Sequence, residues 1–203
     1  MNLLAEGFES ALMACSLIVI LPGLATAMAA RRDVIPALAA YGVAISVLSW
    51  VRFSDRGGGF TPLLIALALG LAVVALVVPR LAGRPPSPTG DRVGAMIGGV
   101  LAGGAAAELW RPCVGLEFGR VLNELPDRGA TGLGQMVVYL LGVLSPLVAA
   151  GAVHQLLPEG MRQRAEPWLV GIGGTALALL ALATAAGLHD ELVGQLFEWS
   201  IEG

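Results

Sequence analysis

The two cysteines of the chain, Cys15 and Cys113, are its most reactive residue types, and 98 positions separate them. A thiolate attacks a disulfide sulfur, so a cysteine pair can take up and release two electrons by thiol–disulfide exchange. Arg111 and Pro112 directly precede Cys113. Proline interrupts a helix, and a thiolate is favoured at a helix N-terminus beside a guanidinium. We therefore expect Cys113 to be the more nucleophilic cysteine, although burial opposes this effect.

Cys15 has a plainer setting among apolar residues, with Pro22 and Gly23 further along the same stretch. A single cysteine in an apolar helix is usually an inert small hydrophobe, and that interpretation stays open. Its position in the first apolar segment, which parallels that of Cys113 in the fourth, favours a redox role.

Charged residues accompany Cys113 in the fourth segment. Glu108 and Arg111 are three residues apart, as are Glu117 and Arg120, so each pair can form on one helix face. Ionisable residues inside a membrane segment mark either a function or a paired interior. These four residues are therefore structural pairs or the lining of a polar path.

A metal or phosphate site is not indicated. The two histidines, His154 and His189, lie near predicted helix ends and form no ligand cluster with the two cysteines. No glycine-rich phosphate loop follows a strand-like segment. We expect no cofactor.

The chain that carries these residues is strongly apolar. Of its 203 residues, 56% are hydrophobic and 13% are charged, whereas soluble domains carry about 25% charged residues. The mean hydropathy is +0.79. A net charge of −3 excludes the basic footprint of a nucleic-acid-binding protein, and the high hydropathy excludes a disordered chain. The composition indicates an integral membrane protein.

Uncharged stretches divide the chain into segments of membrane-spanning length, since about 20 residues cross the hydrocarbon core as a helix. The fourth segment along the chain, 93–122, begins uncharged and is too long for one upright crossing. Tilt, protrusion from the membrane or a break must absorb the excess, and Pro112 is the obvious place for a break. Arg31 and Arg32 follow the first stretch rather than precede it, so we expect a retained helix and not a secretory signal. We expect an all-α protein with six transmembrane helices. The other stretches are 11–30, 34–51, 57–79, 130–153 and 167–188.

The loops predict the orientation and the division of the chain. Loops one, three and five contain seven arginines and loops two and four contain three, which places both termini outside. A proline-rich linker at 83–92 separates a first repeat (1–82) from a second (93–203) within a single membrane domain. Three helices in each half predict two inverted repeats. Their axis could bring Cys15 and Cys113 to the Cα separation of roughly 4.4–6.8 Å that a disulfide needs.

The pattern resembles the CcdA family of membrane electron carriers, which is related to the transmembrane domain of DsbD. The segment 110–115, Trp-Arg-Pro-Cys-Val-Gly, is similar to the family's helix-four Pro-Cys motif, and 139–151, which contains Pro146, is similar to the helix that follows it. Helix one matches through Pro22-Gly23. It departs where the family has prolines, because Ala14 precedes Cys15 and Ile18 follows it.

The resemblance implies a thiol–disulfide electron carrier of the bacterial cytoplasmic (inner) membrane. Cytoplasmic thioredoxin would reduce a Cys15–Cys113 disulfide, and the reduced pair would then reduce an extracytoplasmic thioredoxin-like protein, as in cytochrome c biogenesis. Arg111, Pro112, Glu108, Pro22 and Pro146 would support the pair. Two alternatives remain: a small-molecule or ion transporter that uses the charged residues of helix four, and a scaffold whose cysteines only pack.

Overall fold

A computed structural model describes residues 2–30, 33–54, 60–81, 88–110, 116–156, 158–188, 191 and 194–195. Every regular element among these residues is helical, which confirms the expected all-α class. The helices are α1 (Leu3–Ala11), α2 (Ala14–Ala30), α3 (Val34–Ser54), α4 (Pro62–Leu81), α5 (Pro88–Leu109), α6 (Leu116–Val143), α7 (Ser145–Leu156) and α8 (Glu159–Ala185).

Apolar helices of membrane-spanning length are present. By length and composition, α3 and the Arg164–Ala185 part of α8 could each cross a membrane. Two bent pairs raise the number of candidate spans among the described residues to four: Leu3–Ala11 with Ser16–Ala30, bent by 80°, and Gly129–Val143 with Ser145–Val153, bent by 52°. The apolar stretch Pro62–Val78 of α4 is shorter. Helices that could span a membrane are therefore present.

The long fourth segment is divided between two helices, so a break accounts for its excess length, one of the three possibilities that the sequence leaves open. Helix α5 ends at Leu109 and α6 begins at Leu116, while Pro112 itself lies outside the described residues. Helix α5 starts at Pro88, five residues before the expected Val93 and inside the predicted linker. Proline suits the first turn of a helix because the missing N–H has no intrahelical partner there.

The chain reverses direction within α6. The rings of Phe118 and Tyr139 stack with centroids 3.6 Å apart, whereas 21 residues of continuous helix would separate them by about 30 Å. The backbone at Gly129, with φ 50° and ψ −126°, is not helical. A positive φ is readily adopted by glycine alone, so Gly129 divides α6 into a first arm (116–128) and a second arm (129–143).

Two close helix crossings hold the bundle together. A Cβ on Gly103 of α5 would lie 2.5 Å from the carbonyl oxygen of Tyr41 in α3. A Cβ on Gly7 of α1 would collide with the carbonyl oxygen of Tyr139 in α6. Small residues at such crossings let helix backbones approach closely.

The two prolines expected to support the site occupy different positions. Pro22 lies inside α2, where its carbonyl accepts a hydrogen bond of 2.7 Å from the Thr26 hydroxyl. Pro146 is the second residue of α7, directly after the break at Leu144. The bend of 52° between α6 and α7 therefore lies next to Pro146, and proline is a common cause of such a bend.

Candidate functional site

Each cysteine is close in the sequence to the end of a described helix. Cys15 is the second residue of α2, directly after the bend that separates α2 from α1. Cys113 lies between the end of α5 and the start of α6. The Cys15 side chain and residues 111–115 lie outside the described part of the structure, as does the expected disulfide, and so do Arg111 and Pro112.

Arg52, near the end of α3, binds the end of α5 that precedes residues 111–115, which we call the Cys113 segment. Its guanidinium Nη1 donates to the carbonyl oxygens of Ala107 (2.7 Å), Glu108 (2.8 Å) and Trp110 (3.1 Å). The last carbonyls of a helix lack intrahelical partners, and they carry the negative end of the helix dipole. Arg52 therefore satisfies these carbonyls and fixes the chain at the residue just before the segment.

The α6 side of the same segment is held by Glu6 from α1. Its two carboxylate oxygens accept the backbone N–H of Phe118 at 3.2 Å and 3.1 Å. Phe118 is the third residue of α6, so a negative charge lies at the positive end of that helix. A cation and an anion from two other helices thus hold the two ends of the segment that contains Cys113.

Glu108 makes a tertiary hydrogen bond at the end of α5. Its carboxylate accepts the backbone N–H of Phe60 at 3.2 Å, just before α4 begins. Its expected partner Arg111, like the Glu117 side chain, lies outside the described residues. Arg120 is exposed. Glu108 therefore joins the start of α4 to the end of α5, a role that needs a tertiary contact.

A buried aromatic cluster adjoins the Cys113 segment. Trp110 packs edge-on against Phe53, with centroids 6.2 Å apart, and stacks with Phe118 (6.3 Å) and Tyr139 (6.2 Å). Trp110, Phe118 and Tyr139 are fully buried. The cluster contributes apolar packing at the point where α5 ends and α6 begins, so it fixes both flanks of the segment.

Two buried hydroxyl groups lie close together at the bend between α1 and α2, which precedes Cys15. The hydroxyls of Ser10 and Ser16 are 3.3 Å apart, and the two residues are 3% and 0% exposed. The Tyr139 hydroxyl is also buried, and it has no hydrogen-bond partner among the described residues.

The two tyrosines were missed when the sequence was read alone, although a signal for them exists. Tyr41 and Tyr139 are the only tyrosines in the chain, and each follows a cysteine by 26 residues (41 − 15 and 139 − 113). Both are fully buried. Tyr41 donates to the Val19 carbonyl at 2.5 Å, four residues beyond Cys15, and so joins α3 to the cysteine-bearing helix.

A cavity of about 610 Å³ opens between α3, α6 and α7. Most of its lining is aliphatic, and Ser46 donates its hydroxyl within its own helix to Gly42 at 2.7 Å. Among the described residues no three His, Cys, Asp or Glu side chains are arranged to hold a metal ion.

Comparisons of the chain with protein-family models, with curated proteins and with solved structures give no match. A helix break exposes backbone and side chains to an approaching thiol, and a charge at a helix terminus tunes a nearby sulfur.

Proposed function

We propose that the protein is a membrane thiol–disulfide electron carrier that passes reducing equivalents through a Cys15–Cys113 pair. The observation that carries this proposal is that Cys15 is the second residue of α2, directly after the bend from α1, while Cys113 falls in the sequence between the last residue of α5 and the first residue of α6. A thiol in an unbroken apolar helix is shielded from partners, whereas one at a break can be approached and can have its thiolate stabilised.

The charges around the Cys113 segment fit this chemistry. The Arg52 guanidinium binds carbonyls as far as Trp110, three residues before Cys113, and the Glu6 carboxylate binds the N–H of Phe118 five residues after it. Both contacts restrain the segment from outside its own helix. A reactive sulfur needs such support because misplacement by about 1 Å slows a reaction severely.

The pattern of helix contacts supports six spans arranged as two inverted repeats. In this arrangement the first span of one half is α1 with α2, and its counterpart is α5 with the first arm of α6. The second spans are α3 and, in the other half, the second arm of α6 with α7. The third spans are α4 and α8. Helix α3 contacts α5, and the corresponding pair, α6 with α1, is also in contact. Helix α4 contacts α5, and the corresponding pair, α8 with α2, is in contact as well. These pairs exchange when the two halves are exchanged, as a twofold axis requires.

Individual residues follow the same correspondence. The offset between the cysteines, 113 − 15 = 98, equals the offset between the tyrosines, 139 − 41 = 98. The Tyr41 carbonyl lies against Gly103, and the Tyr139 carbonyl lies against Gly7. Each half therefore places its tyrosine at a glycine crossing with the first span of the other half.

The proposal assigns a direction and partners. Cytoplasmic thioredoxin reduces the pair, and an extracytoplasmic thioredoxin-like protein receives the electrons, as the resemblance to the CcdA family implies. The chain then lies in the bacterial inner membrane with both termini outside, in accord with the arginine-rich odd-numbered loops. Inverted halves can expose one buried pair to each side in turn.

The test uses purified protein in lipid nanodiscs. The oxidised protein is treated with reduced thioredoxin, and free thiols are counted by alkylation and intact mass. We expect two thiols to appear in the native chain. A thioredoxin whose resolving cysteine is replaced by serine should remain attached to the oxidised native chain as a mixed disulfide, because its one thiolate opens the Cys15–Cys113 bond and nothing then releases it. Cys15→Ser and Cys113→Ser, which cannot form the internal disulfide, should not form this product. The doubly substituted chain is the control. An oxidised protein in which both cysteines alkylate without reductant contradicts the proposal.

A further inference from the structure

A smaller cavity, of about 260 Å³, lies between α3, α4 and α5. Leu64 and Val100 are about half-exposed and form its mouth, whereas Ile65 and Ala105 are at most 5% exposed and form its floor. Glu108 is the only charged residue in its lining, and the other nine lining residues are apolar. The cavity therefore combines one carboxylate with an apolar interior.

The dimensions of this cavity suit a small ligand. Its lining on α5 extends from Val100 to Glu108, eight residues that rise about 12 Å along a helix. Two small residues, Ala68 of α4 and Gly104 of α5, leave the space between the helices. The volume is close to the lower end of the range for small-molecule sites, which is about 300–1,000 Å³.

The charge of Glu108 exceeds what its structural contact needs. Its Oε2 atom accepts the backbone N–H of Phe60 at 3.2 Å, which is the one hydrogen bond to this carboxylate among the described residues. Arg52 donates to the backbone carbonyl of Glu108, at 2.8 Å, and not to its side chain. A glutamine oxygen would accept the same N–H, and an amide beside an apolar cavity costs less free energy than a carboxylate. The charge therefore indicates a partner other than Phe60.

Phe60 adds an aromatic ring at the same end of the cavity. Its side chain is 55% exposed and lines the cavity together with Glu108. The face of an aromatic ring attracts cations, and opposite charges attract each other more strongly near apolar groups than in water. The carboxylate, the ring and the adjoining apolar space are therefore complementary to a cation that carries an apolar group.

We propose that this cavity binds a small amphipathic cation, an ammonium ion that carries an apolar group. The ammonium lies against Glu108 and Phe60, and the apolar group occupies the space between α4 and α5. An uncharged ligand would leave the carboxylate without a counter-charge, and an anion would be repelled by it. The site contains neither cysteine, so this proposal goes beyond the electron-carrier function and does not depend on it.

The experiment measures equilibrium binding of tritiated benzyltrimethylammonium to the full chain in lipid nanodiscs, with binding to protein-free nanodiscs subtracted. We expect binding to saturate at a single probe molecule per chain. Glu108→Gln keeps an acceptor for Phe60 but loses the charge, so it should weaken binding by about tenfold or more at an unchanged unfolding temperature. Phe60→Leu should weaken it by about two- to fivefold. Ala68→Leu fills the cavity and should abolish saturable binding.

Matched variants control for charge and for size. Glu9→Gln and Ala149→Leu alter exposed positions that do not line the cavity, so both should retain the native affinity. The chain in which serine replaces both cysteines should retain it as well, which separates this test from that of the electron carrier. The proposal is overturned if the native chain shows no saturable binding, if Glu108→Gln and Ala68→Leu both bind with native affinity, or if the control variants lose as much affinity as these two.

Discussion

The carboxylate of Glu6 accepts the backbone N–H of Phe118, which lies 112 positions further along the chain. This contact joins the first short helix to the start of α6, so the bend before Cys15 and the segment around Cys113 share one anchor. A carboxylate at a helix N-terminus stabilises that helix through both the hydrogen bond and the dipole. The flank of one cysteine is therefore fixed by the element that precedes the other.

Glu6→Ala should lower the free energy of unfolding by about 1–2 kcal/mol, because the start of α6 loses its only described carboxylate acceptor. Glu6→Gln should recover part of this loss, since its amide oxygen still accepts a hydrogen bond. The measurement is thermal unfolding in detergent, followed by tryptophan fluorescence. Glu9→Gln is the control, because Glu9 is exposed on the same helix. Equal effects at both positions would show that the Phe118 contact contributes nothing.

Arg52→Gln should destabilise the protein and loosen the Cys113 segment. Three carbonyls at the end of α5 accept from one Nη1 atom, and hydrogen bonds to a charged group contribute about 1.5–3 kcal/mol each. We expect faster alkylation of Cys113 in the reduced protein as well as a lower unfolding temperature. Arg120→Gln, at an exposed position, is the control. Unchanged alkylation at Cys113 would contradict the anchoring role.

The interruption of the fourth segment could be predicted from its sequence. A stretch from Val93 to Leu122 is too long for one crossing and contains Pro112, and the structure ends α5 at Leu109 and begins α6 at Leu116. Such a break depends on residues close together in the sequence, so the sequence can predict it. The start of this helix is less well predicted: the proline-rich pattern indicates a linker as far as residue 92, whereas Pro88 is the first residue of α5, a position that proline favours.

Contacts between distant helices could not be predicted in this way. The spacing of Glu108 and Arg111 predicts a pair within one helix, and Arg111 lies outside the described residues. The hydrogen bond from the backbone N–H of Phe60, just before α4, to the Glu108 carboxylate is not predicted by any local pattern. Nothing in the sequence indicates that Arg52 would bind the end of α5. By contrast, the equal spacing of Tyr41 and Tyr139 from the two cysteines is visible in the sequence, and the crossing of each tyrosine with a glycine gives that spacing a physical meaning.

Gly103→Ala should be strongly destabilising although it adds a single methyl group. The new Cβ would lie 2.5 Å from the Tyr41 carbonyl oxygen and 3.0 Å from its Cα, so α3 and α5 would have to separate. Overpacking of this kind costs about 1–3 kcal/mol. Gly70→Ala in α4 is the matched control, because nothing lies within 4 Å of its Cβ position. It should be neutral or stabilising, by up to about 1 kcal/mol. Similar unfolding temperatures for the two variants would contradict the close crossing.

Trp110 offers a way to separate packing from hydrogen bonding in the aromatic cluster. Its indole is fully buried, and its Nε1 has no hydrogen-bond partner among the described residues. Trp110→Phe therefore loses ring area but also removes a buried donor that costs about 1–3 kcal/mol.

We expect Trp110→Phe to change the free energy of unfolding by much less than Trp110→Ala, for which a loss of about 3–5 kcal/mol is typical. Denaturant unfolding in detergent, followed by circular dichroism because one of the four tryptophans is removed, gives both values. Phe53→Leu is a useful third variant, since Phe53 contacts Trp110 edge-on at 6.2 Å and carries no polar atom. If Trp110→Phe lowers the stability as much as Trp110→Ala, the indole N–H donates a hydrogen bond that stabilises the protein, which would contradict this prediction.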